Sequence, residues 1–319
     1  MLPITQLYGC YQGNTLPAFF PFTTSVHMPH VFCCLARWVL LSWWLVLAPN
    51  LLAQPPAKSG KSARPAGGTA APDPAIVQLL SEAGRLQAEY HESEALSKYE
   101  QILSKAPATY EALWQAAVLS VRIGSRYTDE TRKSAYFAAA RLYANRALVV
   151  QPDGAEGHYA EALTLANQAT LLSARGRLLA YREMRSHVFR ATELRPDWAD
   201  AWQLLGRWHY RVDHYNIPER IFSRIFLGGV PASASTFMAV DALRKAHELE
   251  PKRIQFAYDL ARVYLNRSQQ TRATAVLQEA VALTPVTADE LEISRRCRRM
   301  LEQLNRRLRR QVHHRLKRL

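Results

Sequence analysis

Five histidines stand in the middle of the chain, at His158, His187, His209, His214 and His247. None has the HExxH spacing or a nearby Asp/Glu arrangement suited to a metal. His313 and His314 are adjacent, so on a helix they point to different faces and cannot share an ion. The sequence has no Gly-rich phosphate loop, no GxSxG elbow and no nucleophile–base pair, and its carboxylates are scattered rather than paired. The expectation is a protein that is not an enzyme, with no catalytic residue, no metal and no cofactor. Aromatic and arginine side chains recur instead at fixed distances behind prolines, and these are the usual anchors of recognition surfaces.

The prolines set a register. Pro107, Pro152, Pro196 and Pro251 each precede, by three residues, a segment of similar pattern that begins at Tyr110, Ala155, Ala199 and Ile254. Pro285 follows Pro251 by 34 residues, the period of a tetratricopeptide (TPR) helix–turn–helix repeat. One such unit cannot bury its apolar face alone, so units must stack. The reading is all-α: a TPR-like solenoid of about five units with insertions, closed by a basic C-terminal capping helix. Helix pairs are expected at 76–90 with 95–103, 110–123 with 134–150, 155–172 with 178–194, 199–212 with 235–249, and 254–267 with 271–283. Ala117, Ala162, Gly206 and Ala261, at the eighth position of the later first helices, are read as close-packing residues.

In such a superhelix the second, fifth, ninth and thirteenth positions of each first helix face the concave groove. The second positions hold Glu111, Glu156, Asp200 and Gln255, and the fifth hold Trp114, Tyr159, Gln203 and Tyr258. The ninth hold Val118, Leu163, Arg207 and Arg262, and the thirteenth hold Arg122, Asn167, Arg211 and Asn266. All of these except Glu156, Gln255, Val118 and Leu163 form the candidate partner-binding set. The partner expected is a protein segment in extended form. The competing reading makes the same side chains internal packing beneath the insertions. Trp202, Trp208, His209 and Tyr210 can be read as a ligand box or, at helical spacing, as core.

Three proline spacings exceed the bare period, which places extra residues between the two helices of a unit. The longest stretch, 211–234, contains a short amphipathic helix at 217–226 with Pro218 in its first turn. It is expected either to fill the groove or to cap its edge.

The ends differ from the middle. Trp38 to Ala48 is an apolar run behind Arg37, too short to span a membrane comfortably. With Ala53 after it, the pattern resembles a secretory signal. Residues 1–53 are therefore read as extension and signal, with Met28 as an alternative start. Export to a periplasm is expected, and the alternative is an anchor at 38–53. Residues 54–75, rich in Pro, Ala, Gly and Lys, read as a linker to repeats at 76–285. Cys10, Cys33 and Cys34 lie in or before the leader, leaving Cys297 alone.

Residues 294–319 carry eleven basic side chains against one acid, Glu302, a net +10 of the chain's +14. Segment 286–319 reads as a basic amphipathic helix whose first part caps the repeats. Arg306, Arg307, Arg309, Arg310, Arg315, Lys317 and Arg318 are candidates for contact with an anionic membrane or an acidic partner, or else form a solvated face. Nucleic acid is least favoured, because stacking aromatics are missing from this segment.

Leu205-Gly206-Arg207-Trp208-His209-Tyr210, Pro218-Glu219-Arg220 and Phe226-Leu227-Gly228-Gly229-Val230-Pro231-Ala232-Ser233 resemble the regulator of microtubule dynamics family. Ala242 to Pro251 continues the likeness. The resemblance implies a helical-repeat protein, microtubule association, and in some members a tether at organelle membranes with lipid-binding repeats. The exported-type leader sets this chain apart from that pattern.

Overall fold

The computed structural model describes residues 73–229 and 233–316. The expected leader, nearly all of the expected linker, and Lys317 and Arg318 lie outside them. The described residues form twelve helices and no strand: α1 (Pro74–Ala88), α2 (Glu92–Lys105), α3 (Tyr110–Arg126), α4 (Glu130–Val150), α5 (Ala155–Gln168), α6 (Ala174–Leu194), α7 (Ala199–Asp213), α8 (Ile217–Phe226), α9 (Thr236–Leu249), α10 (Ile254–Asn266), α11 (Gln270–Ala282) and α12 (Ala288–Leu316).

The helices pair as α1 with α2, α3 with α4, α5 with α6, α7 with α9 and α10 with α11. Each second helix also packs on the first helix of the next unit, and α3, α5, α7 and α10 stand side by side. This is the expected TPR-like solenoid of five units.

The prolines act at the joints between units. Thr109, Gly154, Trp198 and Arg253 donate backbone N–H bonds to the carbonyls of Ala106, Gln151, Arg195 and Glu250, at 3.0–3.2 Å. Each proline is the second residue of the resulting four-residue turn, where its fixed φ is preset. The first helices of units two to five consequently start at one register without a side-chain cap.

The extra residues of units two and three are mostly helix rather than loop. Asp129 accepts the Arg132 N–H at 2.8 Å and starts α4 four residues earlier than the apolar pattern suggests. Ser173 starts α6 in the same manner. The first turn of α4 is largely exposed and that of α6 buries no side chain fully, so no apolar stripe marks them in the sequence. Only the fourth unit carries a separate inserted element, α8.

Close packing falls where the small residues predict. Ala117, Ala162 and Ala261 are fully buried. A Cβ on Gly206 would lie 2.6 Å from Leu243 Cγ and 3.1 Å from its backbone nitrogen, so a side chain there would force α7 and α9 apart. Helix α12 caps the last unit. Its Cys297 and Leu304 are buried against Ile254, Ala257 and Ala261 of α10 and Leu277 and Ala280 of α11. Burial pushes the Cys297 thiol up to about 11, so it is a packing residue and not a reactive one.

Candidate functional site: the concave groove

The first helices present their predicted groove positions in two groups. At the N-terminal ends of α3, α5 and α7 the aromatics close on one another. Tyr159 lies 4.5 Å from the ring of Trp198 and Trp114 lies 6.4 Å from it, centroid to centroid. The Arg195 guanidinium covers Trp198 at 4.7 Å and pairs with Glu156 at 2.9 Å. Tyr110 donates its hydroxyl to Glu156 at 3.2 Å. Tyr159 is buried and Trp114 half-buried, so this end is a packed aromatic wall. Burial, reinforced by the nearby Asp200, raises the Tyr159 phenol well above its ordinary pKa, so it stays neutral.

The polar positions of α7 and α10 form a buried network. Gln203 and Gln255 both donate side-chain amides to Asp259 Oδ2, at 2.7 and 2.9 Å. Asp200 pairs with Arg253 at 3.1 Å. The acids on this part of the wall are thereby satisfied from within the protein. Tyr258 lies under the Arg262 guanidinium at 5.6 Å.

Toward the C-terminal ends of the first helices the groove opens. Asn167 of α5, Arg207 and Arg211 of α7 and Arg262 of α10 line one cavity of about 230 Å³, together with Tyr181 and Asp259. Leu204, Met184, Leu243 and Val263 add apolar lining. Arg207 and Arg262 are exposed. The geometry therefore brings together four of the twelve predicted residues around one basic, partly apolar hollow. Asn266, at the end of α10, instead bonds His214 at 3.1 Å, and Glu111 is exposed at the start of α3. Arg122 is exposed and lies 3.6 Å from Glu92.

The insertion sits at the groove's edge. Helix α8 packs on α6. Glu219 is its anchor: fully buried, it pairs with Arg211 at 2.7 Å and Arg177 at 3.0 Å. It also accepts the Asn216 N–H at 2.9 Å, completing a capping box. Burial alone would raise this carboxyl's pKa. The Asn216 amide and the two guanidiniums outweigh that and hold it below the usual carboxylate range. Through Arg211, the insertion braces one wall of the open hollow.

A second bridge ends at α12. Arg126, at the end of α3, pairs with Glu92 at 2.8 Å and with Asp289 at 3.1 Å. The contact runs from the second unit to the C-terminal helix, past α5, α7 and α10.

Trp208 and His209 are almost wholly buried, which makes them core. Trp208 donates its indole N–H to the Tyr181 carbonyl at 2.8 Å. The sequence reading missed Trp198, Tyr181 and Asp259. Trp198 precedes the first counted helix position and Tyr181 lies on a second helix. Asp259 carried a local signal, an acid three residues before Arg262.

Among the described residues no group of three or more His, Cys, Asp or Glu could hold a metal, and no helix is long and apolar enough to cross a membrane. Stacked helical pairs with a concave row of polar and aromatic side chains define a TPR-like helical-repeat protein. The family described as "Regulator of microtubule dynamics protein 1-3" matches residues 79–305, and the chain belongs to it.

Regulator of microtubule dynamics protein 3 of Mus musculus is 28% identical over 139 residues, 44% of this chain and 29% of that protein. Its Rattus norvegicus counterpart is 27% identical over 169 residues, 51% of this chain and 36% of that protein. The chain thus spans about a third of the length of these relatives. Among solved structures, TTC0263, a thermophilic TPR protein in Thermus thermophilus, superposes with a TM-score of 0.52 at 17% identity. That match covers 70% of this chain and 98% of TTC0263, a likeness of fold.

Proposed function

We propose that the chain is a non-enzymatic scaffold that receives an extended protein segment in its concave groove, and that the segment carries carboxylates. One observation carries this reading: Arg207, Arg211, Arg262 and Asn167 converge on a single hollow with an apolar floor. The acids nearby are already engaged, Asp259 by two amides, Asp200 by Arg253 and Glu219 by two arginines. Arg211 is paired with Glu219 and Arg262 lies 4.0 Å from Asp259, so the hollow keeps a net positive charge centred on Arg207, which has no ion pair among the described residues. That suits an acidic side chain or a chain terminus beside a small apolar anchor. The packed aromatic wall at the other end of α3, α5 and α7 pre-organises the groove and limits the conformational freedom lost on binding.

The test is a peptide array of extended acidic and charge-neutral sequences, probed with the full chain and with a double variant, Arg207→Glu and Arg262→Glu. Binding confined to acidic peptides and weakened at least about tenfold in the variant is expected. Equal binding by both proteins would refute the reading. The variant positions are exposed, so circular dichroism should show an unchanged fold.

A second reading is contact between α12 and an anionic membrane surface. It is favoured by Arg306, Arg307, Arg309 and Arg310, which are all exposed on the helix beyond its capping part. Export, or anchoring through 38–53, is supported by the leader pattern in the sequence and agrees with either reading.

A further inference from the structure

Helix α8 is docked through its polar side, with the half-buried Phe222 packed beside it against the core. Its two buried side chains are Glu219 and Ser223. Ile217, Ile221 and Ile225, spaced by four, are 75%, 56% and 66% exposed, and Phe226 is 65% exposed. An amphipathic helix on a soluble scaffold ordinarily buries such a stripe. Here the ion pairs of Glu219 with Arg177 and Arg211 fix the opposite orientation.

We infer that α8 is a membrane-docking element, its Ile217–Ile221–Ile225–Phe226 face entering the interface of an anionic lipid surface. This face is separate from the groove, and the inference does not depend on what the groove binds.

Charge selects the occupant. The only acid on α8, Glu219, is buried and neutralised, so the exposed charges of the helix are Arg220 and Arg224. Beside it, a second cavity of about 550 Å³ between α6, α7 and α8 is bordered by the exposed Arg182 and Arg185 and by Arg190, whose charge is offset by its partner Glu193 at 3.7 Å. Arginines flanking an Ile and Phe stripe make the pattern of a helix lying in a headgroup layer. A second copy of the chain fits poorly. A two-fold contact through this face would bring together two sets of Arg220, Arg224, Arg182 and Arg185, while the acid that borders the neighbouring cavity, Glu193, is already paired with Arg190. A helix of ten residues, about 15 Å long, offers modest apolar area, so binding should need negative lipid as well as the stripe.

The test is vesicle flotation of the full chain beside a quadruple variant, I217S, I221S, I225S and F226S. Vesicles of phosphatidylserine with phosphatidylcholine are compared with phosphatidylcholine alone. The replaced side chains are mostly exposed and the capping box is untouched, so the fold should survive, as circular dichroism would verify. We expect binding to the anionic vesicles only, reduced about a hundredfold in the variant. An environment-sensitive dye at I225C, in a chain with Cys10, Cys33 and Cys34 replaced by Ser, should shift to the blue on those vesicles. The same dye at N145C, an exposed position on α4, should not.

No binding, equal binding by both proteins, or a silent dye at position 225 would overturn the inference. So would light scattering that shows a dimer made monomeric by the four serines, since the face would then be a protein interface.

Discussion

Helices α8 and α12 are both amphipathic and both rich in arginine, yet they dock in opposite senses. Helix α12 turns its apolar seam inward, with Cys297 and Leu304 buried on α10 and α11. Helix α8 turns its apolar seam outward and buries a glutamate and a serine. Amphipathic spacing predicts that a helix forms, but not which face meets the protein. In α12 the receiving surface is the apolar end of the solenoid. In α8 it is the arginine pair Arg177 and Arg211, and a carboxylate answers it. An end cap is thus distinguished from a surface element by what the scaffold offers.

The comparison can be broken most severely at α12. Leu304→Ala should destabilise the protein by about 3–4 kcal/mol through lost burial and a residual cavity, read by denaturant melts. A loss under about 1 kcal/mol would show that α12 is not a structural cap.

The second test sets Glu161 against Glu219, two buried carboxylates with unequal support. Glu161 Oε1 lies 3.4 Å from Arg141, and neither of its oxygens accepts a hydrogen bond from a described residue. Burial raises its pKa to about 7, against the opposing pull of Arg141. The folded state then holds a proton that the unfolded state has released, so stability should fall as pH rises from about 4.3 to about 7. The loss should be on the order of 3–4 kcal/mol. Glu161→Gln should flatten that window, as thermal melts across pH would show.

Glu219 has the opposite sign. Its pKa lies below the usual range, so its contribution is complete above about pH 4.3 and is lost as pH falls through its folded value. Glu219→Gln should weaken the docking of α8 by about 2 kcal/mol at neutral pH. The readout is faster amide exchange confined to α8 and its flanks.

The smallest effect belongs to the outward stripe. Ile225→Ser should change stability by no more than about 0.5 kcal/mol, an exposed replacement with nothing packed beneath it. A larger loss would mean that the face is covered.

Much of this was legible in the sequence because the prolines carry the register. Once Pro107, Pro152, Pro196 and Pro251 are aligned, Asn167, Arg207, Arg211 and Arg262 fall on one face, and the structure gathers these four around one hollow. Helix α8 was legible too, from its amphipathic spacing and Pro218 in the first turn, and the structure adds the capping box of Asn216 and Glu219 that fixes its start. Its orientation was not, because Arg177 is 42 residues from Glu219 and no local pattern announces the pair. The overhanging first turns of α4 and α6 were hidden for a different reason. Helix without apolar periodicity reads as loop, and only the caps Asp129 and Ser173 mark its start.

The central claim is that two surfaces of one scaffold meet different partners, a protein segment at the groove and lipid at α8. A photo-crosslinking amino acid placed at Arg262 in one protein and at Ile225 in another tests it directly, on native membranes with soluble extract restored. The account predicts polypeptide adducts from position 262 and lipid adducts from position 225. Polypeptide adducts of the same mass from both positions would contradict it, because the stripe and the groove would then belong to one protein interface.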